Sequence, residues 1–301
     1  MKYFIDKLVE KIEEKNSRIC VGLDPHLNLL PEHLLAAEIR KDLESNQKET
    51  AAAVLKFNKN LIDAVADMTA AVKPQMAFYE KMGADGITCL WQTVEYAKSR
   101  GLIVIMDGKR NDIGSTAIAY AQAYLQNKKT SVDAITINPY LGRDGILPFL
   151  ENKERGAFAL IKTSNPSAGD LQDLKLNDGR KVYQAVGDLL KKLGSDYTGN
   201  CGYSNLAAVV GATYPKELKE IRAQLESVFF LIPGFGAQGG KTEDIKAAFD
   251  TDGRGAVINS SRGIDFAFRR EKYAHFGAEN YAKAARAAAS DMKEEINKAL
   301  S

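Results

Sequence analysis

Histidine and cysteine are scarce in this chain of 301 residues, and each shortage removes a class of chemistry. Cys20, Cys89 and Cys201 are odd in number, far apart and without a C-x-x-C pair. Neither a disulfide framework nor a structural zinc site is expected, and a reducing compartment is. His26, His33 and His275 are the only histidines, which leaves little material for a histidine-rich metal centre or a Ser-His-Asp triad. Long apolar runs are missing too: stretches such as 102–106 fall far short of the roughly 18 residues of a membrane span, so no membrane partner is expected. Charge of one sign is also lacking. Lys and Arg number 41 against 39 Asp and Glu, a formal +2, without the basic stripe that nucleic-acid binding requires, so any phosphate bound here is expected to be small. The N-terminus places Phe4, Leu8 and Ile12 among charged residues, an amphipathic helix rather than a secretory signal, and a cytoplasmic location is expected.

With 45% hydrophobic and 27% charged residues the chain has ample material for a buried core. Eight short apolar runs, each closing in polar or Gly-rich residues, occupy 18–24, 70–75, 102–109, 134–139, 157–164, 207–213, 229–235 and 256–262. Helical spacing of apolar residues falls between them, at 51–67, 88–99, 115–126, 215–225 and 242–249. Strands apolar on both faces, alternating with helices, predict a parallel sheet, and eight units is the number that closes a (β/α)8 barrel. A doubly wound open sheet is the alternative. Two long spacings, 24–70 and 164–207, read as elaborated loops after strands one and five, and residues 1–301 as a single catalytic domain.

Barrel function resides at the carboxyl ends of the strands, so the polar residues closing each run are the candidate site. Asp107 and Lys109 are two apart on an extended strand, leave the same face and form a candidate ion pair. Asp112 lies beyond the strand end, where it caps the following helix, approaches Lys109 or reaches another chain. A lysine flanked by carboxylates favours the ammonium form and serves as an acid, not as the free amine of a Schiff-base aldolase. Gly234-Phe235-Gly236-Ala237-Gln238-Gly239 matches G-x-G-x-x-G formally, yet it follows strand seven, where barrels hold phosphate rather than dinucleotides. Arg262 after strand eight supplies a cation there. The bland alternatives are a structural ion pair, a Gly-rich turn and a surface arginine.

Five segments together resemble a known family. Gly22-Leu23-Asp24-Pro25, Val72-Lys73-Pro74-Gln75, Asp107-Gly108-Lys109-Arg110-Asn111-Asp112-Ile113-Gly114-Ser115-Thr116, Pro233-Gly234-Phe235-Gly236-Ala237-Gln238-Gly239-Gly240 and Asn259-Ser260-Ser261-Arg262-Gly263 are similar to orotidine 5′-phosphate decarboxylases in their longer bacterial form. D-x-K-x-x-D alone is shared with sugar-phosphate decarboxylases. The run through Thr116, the Lys-Pro of strand two and Lys162-Thr163-Ser164-Asn165-Pro166 are more specific.

The resemblance implies removal of CO₂ from C6 of orotidine 5′-phosphate to give uridine 5′-phosphate, with no metal or organic cofactor. It assigns Lys109 to carbanion stabilisation and protonation of C6, Asp107 to the departing carboxylate, and Asp112 to a neighbouring subunit of a homodimer with shared sites. Asp24 and Lys73 resemble ribose contacts, with Asp112 and Thr116 taking the other hydroxyl across the dimer. Ser164 resembles the contact to the pyrimidine edge, and Gln238, Gly239, Gly240 and Arg262 the phosphate grip. Two alternatives stay open: a magnesium-dependent sugar-phosphate decarboxylase of the same superfamily, and a barrel that binds a nucleotide without turning it over.

Overall fold

Each of the eight expected runs forms a strand in the computed structural model, which describes residues 2–43, 45–211, 215–234 and 245–301. They are β1 (Ile19–Leu23), β2 (Ala71–Pro74), β3 (Ile103–Arg110), β4 (Ala134–Ile137), β5 (Gly156–Lys162), β6 (Ser204–Val210), β7 (Val228–Ile232) and β8 (Ala256–Ser260). Every strand pairs in parallel with the next, and β8 returns to β1, so the sheet closes as the expected (β/α)8 barrel. Closure leaves the sheet with no open edge, and helices cover its outer face.

Alternation along the strands divides the apolar residues into two cores. Ile19, Val21, Val72, Val104, Ile135, Phe230 and Ile258 face outward against the helices. Cys20, Ala71, Ile103, Ile105, Ala134, Phe158, Ala207, Phe229 and Val257 fill the lower barrel, together with Phe4, Ile5, Leu8, Val9 and Ile12 of the N-terminal helix Phe4–Lys15. That helix plugs the amino-terminal mouth. Tyr3 provides it with no side-chain cap, worth about 1 kcal/mol at best, whereas each fully buried Phe, Ile or Leu contributes roughly 1.5–3 kcal/mol. Packing therefore holds it. Gly156 at the base of β5 permits the approach, since a Cβ there would overlap the Phe4 ring. With one mouth filled, only the carboxyl-terminal mouth remains for a ligand.

Two expectations need correction. Strand six runs over Ser204–Val210, three residues earlier than the run 207–213, of which 212 and 213 lie outside the described residues. The segment 164–207 is not all loop, because it contains the helix Val182–Gly194, which buries Tyr183, Gly187, Leu190 and Leu193. Its glycines suggest a loop in the sequence, but Gly187 permits close packing: a Cβ there would stand 3.3 Å from Leu225. The helices Gln47–Val65, Gly83–Ser99, Gly114–Ala121 and Pro215–Gln224 meet four of the expected helical stretches, and 242–244 of the fifth lie outside the described residues.

Candidate active site

A cavity of about 370 Å³ opens at the carboxyl-terminal mouth. Strands β1 to β4 and their ends contribute Asp24, Lys73, Gln75, Asp107, Lys109 and Thr136, whereas β5 to β7 contribute Leu160, Val209, Leu231 and the following Pro233. One side is thus charged, and the other is apolar with a polar edge of Thr163, Ser164 and Asn165 at the end of β5. The apolar side offers a flat ring something to lie on and withholds water, which strengthens the charges opposite.

Asp107 is the centre of the charged side. Its Oδ1 accepts from Lys109 Nζ at 2.6 Å and from the Thr136 hydroxyl at 2.9 Å, and its Oδ2 accepts from Lys73 Nζ at 2.7 Å and Gln75 Nε2 at 3.0 Å. Burial works against its charge, but the ammonium groups of Lys73 and Lys109 prevail and hold the carboxyl below the usual range. The same contest at Lys73 ends in the opposite direction: burial favours the free amine, yet Asp107 and then Asp24 hold the lysine above its ordinary value. Breaking such a buried pair by removing one partner costs about 3–5 kcal/mol. Lys109 differs from Lys73 in access, with 47% of its side chain exposed against 5%.

Strand alternation alone does not bring Lys109 to Asp107. Between Met106 and Arg110 the register of β3 against β4 slips, with Met106 opposite Ile135 and Arg110 opposite Ile137. Within this bulge Lys109 takes a left-handed backbone, φ +45°, unusual for a residue with a Cβ. Its N–H donates to Thr136 Oγ1 at 2.9 Å. Thr136 and Gln75 were not among the expected site residues, although both were visible in the sequence. Thr136 is the polar residue within the apolar run of β4, and Gln75 closes the Val-Lys-Pro-Gln segment.

Asp24 lies beside the cavity, and among the described residues its Oδ1 is buried without a hydrogen-bond partner. Its N–H donates to Asp265 Oδ2 at 3.3 Å. Asp265, fully buried, is raised well above the ordinary carboxylate range, by burial first and then by the charge of Asp24. Ser164 lines the cavity at the end of β5, where two consecutive side chains grip two consecutive residues. Gln172 accepts from the Thr163 N–H at 3.0 Å and donates to its hydroxyl at 2.8 Å, while both oxygens of Asp173 accept from buried Lys162 at 2.8 Å. Arg262 is exposed and lines the cavity, and its guanidinium makes no hydrogen bond or ion pair among the described residues. Gln238, Gly239 and Gly240 lie outside the described residues.

Asp112 and Thr116 are not brought into the cavity of their own chain. Asp112 Oδ1 accepts from the Ile113 N–H at 2.8 Å, and Thr116 is exposed on the helix Gly114–Ala121. The residue flanked by two carboxylates within one chain is therefore Lys73, between Asp107 and Asp24, and not Lys109. Ile113 and Ile118 on the same segment are exposed apolar side chains, as are Tyr140 and Leu141, and Leu141 and the Asp112 carbonyl both border Gly145.

Known proteins are similar to this chain in sequence and fold. The family described as "Orotidine 5′-phosphate decarboxylase / HUMPS family" matches residues 17–273. A Rhodopirellula baltica protein named orotidine 5′-phosphate decarboxylase is 46% identical, the match covering 98% of this chain and 99% of that protein. A namesake from Clostridium perfringens is 42% identical with 98% of each covered. Among solved structures, that of Leishmania donovani OMP decarboxylase superposes with a TM-score of 0.76 at 32% identity, covering 99% of this chain and 98% of its own. The matched span runs from just before β1 to beyond β8 and so encloses Asp24, Lys73, Asp107, Lys109, Ser164 and Arg262 in one frame; the chain belongs to the orotidine 5′-phosphate decarboxylase / HUMPS family.

Proposed function

We infer that the protein removes CO₂ from orotidine 5′-phosphate to give uridine 5′-phosphate in pyrimidine biosynthesis. The observation that carries this is the Lys73–Asp107–Lys109 array at the mouth of a barrel belonging to this family. Loss of CO₂ leaves an electron pair at C6 in the plane of the pyrimidine, where the ring's π-system cannot absorb it. Fixed charge must stabilise it instead. Lys109, the accessible ammonium, faces the developing carbanion and then transfers its proton to C6. Asp107 lies against the leaving carboxylate and, with four donors already in place, resists displacement. Lys73 gives one donor to Asp107 and keeps two for ribose hydroxyls, which Asp24 receives through its unpartnered oxygen. Ser164 reads the pyrimidine edge. Arg262, with Gln238, Gly239 and Gly240, takes the phosphate, whose binding energy organises the charged centre.

Asp112 and Thr116 act in the site of a second copy. Support comes from their position outside their own cavity and from the exposed apolar group of Ile113, Ile118, Tyr140 and Leu141 beside them, a surface suited to a symmetric partner. We take residues 1–301 as one catalytic unit working in the cytoplasm as a homodimer. Its cysteines are all unpaired, and no described helix is long and apolar enough to cross a membrane.

The test is the fall in absorbance of orotidine 5′-phosphate with purified protein in excess EDTA. Turnover in EDTA is expected. A requirement for added magnesium would favour the sugar-phosphate alternative, which needs carboxylates free for a cation, unlike Asp107. Nucleotide binding without turnover would favour the non-catalytic barrel.

A further inference from the structure

Thr136 stands between the two reactive residues and touches both. It is 1% exposed, in a strand otherwise composed of Ala134, Ile135 and Ile137, and a hydroxyl there needs compensation for lost water. Its compensation is unusual in kind. The oxygen accepts the backbone N–H of Lys109 at 2.9 Å, and the proton is donated to Asp107 Oδ1 at 2.9 Å, the oxygen that also receives Lys109 Nζ at 2.6 Å. One hydroxyl therefore closes a ring through the main chain of Lys109, its ammonium and the Asp107 carboxylate.

The bulge explains why such a link is needed. An ordinary strand delivers the backbone N–H to a neighbouring carbonyl, but here β3 slips against β4 over this stretch. A left-handed residue that is not glycine costs of the order of 1 kcal/mol or more and persists only when its surroundings impose it. A hydrogen bond from the Lys109 N–H is the contact that discriminates between this backbone and an extended one. Threonine suits the task because its β-branch restricts χ1, so the hydroxyl keeps one direction. Gln75 contributes to Asp107 from the other side, yet it reaches only Oδ2 and makes no hydrogen bond to Lys109.

Resting on the decarboxylase activity inferred above, we propose that Thr136 is a positioning residue that sets Asp107 and Lys109 in a single geometry through its hydroxyl. It handles neither proton nor CO₂. Its effect passes through the placement of Lys109 Nζ relative to C6, where an error of about 1 Å can cost on the order of a hundredfold in rate.

The experiment compares Thr136→Val, isosteric and without the hydroxyl, with Thr136→Ser, which keeps it. Both are assayed with orotidine 5′-phosphate, with the concentration of folded sites counted by binding of uridine 5′-phosphate. Thr136→Val is expected to lower kcat per binding site by roughly tenfold or more with KM within about threefold of wild type, and Thr136→Ser to recover most of the loss. A second readout is exchange of the C6 hydrogen of uridine 5′-phosphate with D₂O, the reverse of the protonation step. It should slow in Thr136→Val together with decarboxylation, because both need Lys109 in place. The proposal is overturned if Thr136→Val keeps wild-type kcat per site, if Thr136→Ser is as impaired as Thr136→Val, or if exchange is untouched while decarboxylation falls. Lost activity that merely tracks lost binding sites also overturns it, since that is what a purely structural hydroxyl would do. Failure of the wild-type protein to decarboxylate the substrate would instead remove the activity itself, before any variant is compared.

Discussion

Lys109 and Arg262 line the same cavity, and their removal should leave different kinetic signatures. Lys109→Ala deletes the proposed proton donor and spares the proposed phosphate grip, so kcat should fall by roughly a hundredfold or more while uridine 5′-phosphate still binds in a titration. Arg262→Ala would lose the proposed charge-assisted phosphate contact, worth about 1.5–3 kcal/mol, and steady-state rates should show KM raised roughly tenfold or more. An unchanged KM would remove Arg262 from the site. Asp265 makes a separate prediction about stability. Its carboxyl is raised in the folded state, so folding holds its proton more tightly than the unfolded chain does. Its contribution to stability therefore declines as pH rises above the unfolded value of about 4, until the folded value is passed. Asp107, held low, has the opposite sign: its contribution is present above about pH 4 and is lost on acidification through its folded value. Asp265→Asn keeps an acceptor for the Asp24 N–H and removes the penalised charge. Thermal melts should show the variant gaining on wild type between pH 4 and pH 7; a gap that stays constant with pH would show that the buried charge is not the cause.

Among the elements, the end of β5 holds Ser164 where the cavity needs it, and the grip of Gln172 and Asp173 on Thr163 and Lys162 holds that end. Gln172→Ala removes two neutral hydrogen bonds, each worth about 1 kcal/mol, from the half-buried end of the one-turn helix Gly169–Gln172. We expect KM for orotidine 5′-phosphate to rise about three- to tenfold, as this segment spends less time in its binding geometry, with the melting temperature shifted by only a few degrees. Equal KM values would mean that β5 positions Ser164 unaided. The elements also mark where periodicity is a sound guide. The eight strands are apolar on both faces, and their runs stand out. The helix Val182–Gly194 is obscured by Gly187 and Gly194, whose role is to let it pack closely, a purpose that residue type alone does not disclose.

At the scale of the whole molecule the open matter is whose Lys109 each Asp112 serves. In a homodimer with shared sites, Lys109→Ala and Asp112→Asn are each nearly inactive alone. After subunit exchange, each mixed dimer combines both lesions in one site and restores the other. Half of randomly paired dimers are mixed, and each has one intact site of two, so activity should return to roughly a quarter of wild type. If Asp112 served its own chain, every site would carry a lesion and nothing would return. Mass analysis confirming exchange makes that outcome decisive against shared sites.

What the sequence alone determined is whatever depends on pattern along the chain: eight apolar runs separated by helical spacing predict a parallel sheet with the strand count of a barrel, and the polar residues ending those runs become the lining of its mouth. Asp24, Lys73, Asp107, Lys109, Ser164 and Arg262 were legible for that reason, and all six line the cavity. Which donor meets which acceptor was settled only by tertiary structure. Lys73 and Asp107 are 34 residues apart, and no spacing rule says that Lys73, rather than Lys109, sits between two carboxylates. Nor does one say that the strand holding Asp107 and Lys109 bulges. That bulge depends on register against β4 and on a hydroxyl from that neighbouring strand, and both exist only once the barrel has closed.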